Sequence, residues 1–147
     1  MEPQFNIVDE ARKFLFVRED GQNKGIDVEA IQKWAGGQPG DSWCCEFVTF
    51  ILRICYQGNS PIPLLRACQD VYNLAKKNGW LTTNPVPNDI YLYVDANEHA
   101  HHIGIYTGNG NGIAGNTSAD GTSSNGDRVA EHALTTNPAL IKYVHFY

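Results

Sequence analysis

Two short stretches hold most of the side chains able to do covalent chemistry. Residues 43–47 read Trp-Cys-Cys-Glu-Phe, and residues 99–104 read His-Ala-His-His-Ile-Gly. A thiolate is a strong nucleophile, but a free thiol is mostly protonated at neutral pH, so its surroundings must lower its pKa. A nearby imidazole can complete the ion pair and later protonate a leaving amine. Cys44 and His102 are the candidates for nucleophile and base. Asn116, in Gly-Asn-Thr-Ser at 115–118, can orient an imidazole by accepting its second N–H. Together they suit amide hydrolysis through a thioester.

Plainer readings stand beside this one. A cysteine at a helix start is commonly a small buried hydrophobe, and a strand histidine is commonly structural. His99, His101 and His102 form a cluster able to hold a metal ion, although acidic co-ligands are sparse. The vicinal Cys44–Cys45 pair suggests redox chemistry, but adjacent cysteines form strained disulfides. No CxxC pair occurs among Cys44, Cys45, Cys55 and Cys68, so structural zinc is not expected. Neither a metal nor a cofactor is assigned.

The elements that must position these groups are readable. Residues 41–58 carry Cys44, Phe47, Val48, Ile51 and Cys55 at helical spacing, with Glu46, Thr49 and Arg53 on the other side. Asp41 or Ser42 can cap this central helix and Gly58 can stop it. A helix N-terminus carries about half a positive charge, which favours a thiolate at Cys44, and its free N–H groups suit an oxyanion. An amphipathic helix is expected over 5–18, with Phe5, Val8, Ala11, Leu15 and Phe16 near one face. A short helix is expected from Asp27 as N-cap, turning Val28, Ile31 and Trp34 inward, and a further one from Leu64 to a stop at Gly79.

Beyond Pro87 the pattern becomes extended. Strands are expected at 89–94, 101–107, 112–117, 128–134 and 141–147, separated by Gly/Asn-rich turns at 108–112 and 118–127. In the second of these, His102, Gly104 and Tyr106 share one face. Helices followed by strands imply α+β, with N-terminal helices packed on an antiparallel sheet of about five strands.

The 147 residues fit one domain, 1–147, able to bury about two-thirds of its unfolded surface. The 11 basic and 16 acidic residues leave a formal charge of −5, which argues against nucleic acid as a partner and offers no attraction to an anionic bacterial surface. The N-terminal stretch lacks a signal-peptide apolar core, and nowhere do about 18 apolar residues run together. Synthesis in the cytoplasm and no membrane insertion are therefore expected.

Three blocks, in order, resemble the CHAP family, the cysteine- and histidine-dependent amidohydrolases and peptidases of the papain-like superfamily. The first runs from Glu19-x-x-x-Asn23-x-Gly25 to Trp43-Cys44-x-x-Phe47-Val48. The second is Pro85–Val94, and the third is His102-Ile-Gly-Ile followed by Gly115-Asn-Thr-Ser. The likeness spans roughly residues 15–135 and implies a papain-like fold. It also implies Cys44 as nucleophile, His102 as base and Asn116 in the orienting place. Trp43 would then line the substrate cleft, and Gln38, six residues before Cys44, would stand where papain-like enzymes can place an oxyanion glutamine. The chain departs from the pattern at Ala114, where the family often has Glu, and at Cys45 and Glu46, where small residues usually follow the nucleophile. Asn88 stands where Gly is usual.

The activity the resemblance implies is hydrolysis of an amide in peptidoglycan, either the muramoyl–alanine bond or a peptide link. A phage or prophage endolysin released by a holin is the leading expectation, acting in the periplasm or cell wall. A secreted amidase effector with an immunity protein, a decayed CHAP-like binding or structural module, and a cytosolic protease or deamidase acting on proteins are the alternatives.

Overall fold

The structure is a computed structural model that describes residues 2–123 and 125–147. Met1, and Ser124 within the expected turn at 118–127, lie outside the described residues. Four helices come first: α1 (Ile7–Arg12), α2 (Ile26–Trp34), α3 (Cys44–Cys55) and α4 (Cys68–Asn78). Six strands follow: β1 (Leu81–Thr82), β2 (Ile90–Val94), β3 (Ala100–Gly108), β4 (Asn111–Thr117), β5 (Arg128–Ala133) and β6 (Ile141–Val144). The sheet is antiparallel, in the order β1-β6-β2-β3-β4-β5. The expected α+β architecture is the observed one, with six strands rather than five. The extra strand, β1, has two residues, too few to show any alternation.

The central helix α3 buries Cys44, Phe47, Val48, Ile51 and Cys55 as its spacing predicts. Its other side is buried as well at Glu46 and Thr49, because α2 and the chain before α4 cover it. Thr49 Oγ1 donates to the Leu65 carbonyl at 3.2 Å, fixing that covering segment. Trp43 takes the N-cap position without a capping side-chain bond, so neither Asp41 nor Ser42 is the N-cap.

Three helix expectations change. α1 ends at Arg12, where Asn6 caps its start, and the chain then turns tightly through 13–16. That turn breaks the helical phase, so Ile7, Val8 and Ala11 are buried while Phe5 and Phe16 stay exposed. α2 begins two residues earlier than an Asp27 cap would allow. Gly25 is its N-cap, and Glu29 reaches back to accept from the Gly25 N–H at 3.0 Å. Trp34 is 55% exposed under the Arg53 guanidinium, 5.2 Å from its ring centre, rather than turned inward. α4 starts at Cys68 and stops at Gly79, whose φ of 69° is the left-handed conformation a helix terminator needs.

Strand alternation divides the core into two parts. Ile90, Leu92, Val94, Ile103, Ile105, Ile113, Val129 and Val144 pack with the helices. Tyr91, Ala114, Leu134 and Ile141 form a second cluster with Tyr93, Tyr106 and Tyr143 against it. The β3–β4 ladder runs through Gly108–Asn111, Tyr106–Gly112 and Ile105–Ile113, and His102 and Asn116 lie beyond its end. The start of α3 packs here. A Cβ on Gly115 would stand 2.7 Å from the Trp43 ring and 2.8 Å from the Phe47 Cβ.

Candidate active site

Cys44 is the first residue of α3 and is 3% exposed. Its Sγ lies 3.6 Å from the Sγ of Cys68 at the start of α4. The Cys68 thiol can donate to a Cys44 thiolate, and with the His102 ring and the Cys45 N–H it holds the Cys44 pKa well below the usual thiol range, against burial. Cys68 is pushed the other way, by its bond to the anion and by burial. Cys45 donates to the Leu65 carbonyl at 3.2 Å, and burial raises its pKa. Burial also lifts Cys55 to about 12. Of the four thiols, only Cys44 is drawn toward the ionised form.

His102 stands on β3 opposite Tyr93 of β2, 1% exposed, its ring stacked on Tyr93 at 5.8 Å between centroids. The Tyr91 ring lies 6.3 Å away. Neither ring nitrogen has a hydrogen-bond partner among the described residues. The imidazole and the Cys44 thiol therefore feel one another's charge without an aligned bond, as catalytic pairs often do before substrate binds.

Asn116 is fully buried in a left-handed conformation, φ 52°. Its Nδ2 donates to Ser42 Oγ at 3.0 Å, tying β4 to the loop before α3, and its Oδ1 has no partner among the described residues and makes no bond to His102. Trp43 is fully buried, packed over Gly115 with its Nε1 donating to Glu19 at 2.9 Å. It is a packing residue rather than a cleft wall. Gln38 is exposed, and its backbone N–H donates to Asp41. His101, the extra residue where β3 bulges opposite Tyr93, has its ring 6.4 Å from that of Tyr93 and lines a cleft of about 500 Å³ with Tyr93, Asp120, Thr122, Leu134 and Leu140. No group of three metal-ligating side chains occurs among the described residues, so the three histidines are not gathered as a metal site.

No protein-family model matches the sequence, and no curated protein sequence matches it. Solved structures do match. The P60 domain of an antigen from M. avium subspecies paratuberculosis superposes with a TM-score of 0.57 at 16% identity, covering 96% of this chain and 92% of that one. An NlpC/P60 family protein from Bacillus cereus gives 0.56 at 17%, covering 96% of this chain but 39% of that one. RipD from Mycobacterium tuberculosis, described as a non-catalytic NlpC/P60 domain protein adapted to peptidoglycan binding, gives 0.56 at 14%, covering 96% and 95%.

The fold is that of the NlpC/P60 domains, a papain-like fold. Within this NlpC/P60 fold, several residues around Cys44 and His102 escape a reading of motifs. Cys68 carries no local signal, because only the packing of α4 brings it to Cys44. Tyr91 sits in a strand where its aromatic character says only that the position is extended. Glu46 is buried, with both carboxylate oxygens unpaired among the described residues. Gln32 donates from Nε2 to the carbonyls of Asn23 and Asp41, at 2.8 and 2.9 Å, and so fixes the loop that delivers Cys44. Asp89, buried at the start of β2, accepts from Val86 N–H and pairs with His145 at 2.7 Å, holding β2 to the chain after β6.

Proposed function

We propose that this protein hydrolyses an amide bond of peptidoglycan, with Cys44 as nucleophile and His102 as base. The observation that carries the reading is a thiol in the first turn of α3, beside a buried imidazole, with its pKa drawn down. Attack of the thiolate on the carbonyl carbon forms a tetrahedral intermediate. Protonation of the departing amine by the imidazolium leaves a thioester at Cys44. Water, deprotonated by the neutral imidazole, then releases the acid and restores the thiol. N–H groups of the first turn of α3 are the available donors to the oxyanion.

The order and spacing of the Trp-Cys-x-x-Phe-Val, Pro-x-x-Asn-Asp and His-Ile-Gly-Ile blocks support a place among CHAP enzymes within this papain-like fold. A phage or prophage endolysin, made in the cytoplasm and acting in the periplasm or wall after holin-assisted release, is the role we favour. A secreted amidase effector with an immunity partner uses the same site.

One observation favours a second reading, a module that binds peptidoglycan without cutting it. Cys44 and His102 are both almost wholly buried, Ala114 carries a methyl where the resembled family often has Glu, and RipD is described as such a non-catalytic domain. Purified sacculi incubated with wild type, Cys44→Ala and Cys45→Ala distinguish the two. Fragments released by wild type and Cys45→Ala, but not by Cys44→Ala, are the expected result, and their masses name the bond. Cosedimentation with sacculi and no fragments from any of the three supports the binding module instead.

A further inference from the structure

A base that must hold one tautomer needs a partner on its second ring nitrogen. Neither residue that the resemblance places nearby provides one. Ala114 ends at a methyl group, and Asn116, anchored to Ser42 through Nδ2 and with its Oδ1 unpartnered among the described residues, makes no bond to His102. We propose that the Tyr91 hydroxyl orients the His102 imidazole, filling the place a polar side chain at residue 114 would hold. The inference rests on the reading of Cys44 and His102 as a catalytic pair.

The register supplies the geometry. Tyr91 pairs with Gly104 and Tyr93 with His102, so Tyr91 projects from the same sheet face as the imidazole, one alternate position along. Its ring does not stay on its own strand. It lies across β3 onto β4, occupying the space that Cβ atoms on both Gly104 and Gly112 would fill. The hydroxyl itself is 2.5 Å from where a Gly104 Cβ would stand, two residues along β3 from His102. Ala114 belongs to the same buried cluster as Tyr91. Gly104, Gly112 and Ala114 thus make one slot across two strands, and a phenol lies in it.

Tyr91 is fully buried, and its hydroxyl has no hydrogen-bond partner among the described residues. The same is true of both nitrogens of His102. Two unpaired polar groups buried on one face, 6.3 Å apart between ring centres, are each costly alone and satisfied by a small approach. Burial and the neighbouring Tyr93, Cys44, Tyr143 and Cys68 keep the phenol protonated. A neutral phenol oxygen can accept the imidazolium N–H, and no proton leaves Tyr91 in this role. It is a positioning residue acting through His102.

Tyr91→Phe preserves the ring and its slot, so an unchanged denaturation midpoint is the control for folding. The primary readout needs no substrate: the rate of Cys44 alkylation by iodoacetamide against pH, followed by mass spectrometry of the Cys44 peptide. His102→Ala should reduce the thiolate population seen below the ordinary thiol pKa, while the Cys68 thiol still donates to the anion. Tyr91→Phe should move the same acid limb toward that of His102→Ala, while Asn116→Ala leaves it in place. On sacculi, Tyr91→Phe should lower kcat by on the order of 10²-fold with KM little changed. A Tyr91→Phe profile identical to wild type, with His102→Ala still effective, overturns the proposal alone. If Asn116→Ala shifts the profile instead, Asn116 is the orienting group. An alkylation profile indifferent to His102→Ala removes the catalytic pair and the proposal together. Inert sacculi with a shifted Tyr91→Phe profile overturn only the substrate assignment and leave the positioning role supported.

Discussion

Glu46 shows how much one residue's chemistry depends on what covers it. It follows the two cysteines in the first turn of α3, where helical spacing alone turns it away from the core face. Burial, with Asp41 beside it, raises its pKa to about 7, and Arg66, ion-paired with Asp41 at 3.7 Å, only partly opposes this. An unfolded Glu titrates near 4.3. A folded pKa above the unfolded one means that the protonated group stabilises the fold fully below about pH 4.3. That contribution is lost as the pH rises through about 7. Glu46→Gln, which cannot ionise, should therefore gain on wild type in urea midpoint between pH 5 and pH 8. A difference that stays constant across that range would show that Glu46 ionises as freely in the fold as outside it. The adjacent thiols make the same point. Cys44 and Cys45 are chemically identical in sequence, and their pKa values separate because one meets Cys68 and His102 while the other meets the Leu65 carbonyl.

At the scale of elements, the site exists because the start of α3 can approach the sheet where the β3–β4 ladder ends. Gly115 permits that approach, since the Trp43 ring and Phe47 Cβ occupy the volume a side chain would need. Both obstacles are buried and rigid, so Gly115→Ala should destabilise the protein by about 1–3 kcal/mol, read from the urea midpoint. It should also disturb the alkylation rate of Cys44, because the same contact sets the height of α3 over β4. A neutral Gly115→Ala would mean that the helix start has room to shift. The central helix was legible from its stripe of Cys44, Phe47, Val48, Ile51 and Cys55, and β3 from its alternation. α1 was not, because six helical residues followed by a tight turn retain enough apolar residues to imitate a longer helix.

Over the whole molecule, the −5 net charge works against contact with an anionic wall. The rate of fragment release from sacculi should therefore rise as salt is increased from about 10 mM to 150 mM, where screening shortens from about 30 to 8 Å. A steady fall over that range would instead reveal a local basic surface guiding the encounter. The overall arrangement also sets the entry problem for substrate. The cleft lined by Tyr93 and His101 lies beside His102, while Cys44 itself is closed off by Cys68 and the segment that delivers α4.

The order of helices before strands, the helix that begins at Cys44, and the strand that presents His102 on the face of Gly104 all follow from local periodicity and turn residues. Those signals extend over a few residues, and they determined the α+β class and the candidate thiol and imidazole. Only the tertiary structure decided what surrounds them. Cys68 reaches Cys44 through the packing of α4, Tyr91 reaches His102 through the β2–β3 register, and Asn116 turns to Ser42 because α3 crosses the end of β4. Trp43 goes into the core rather than the cleft for the same reason. Each of these depends on contacts between residues far apart in the chain, and no local pattern encodes which distant side chain will occupy a given space.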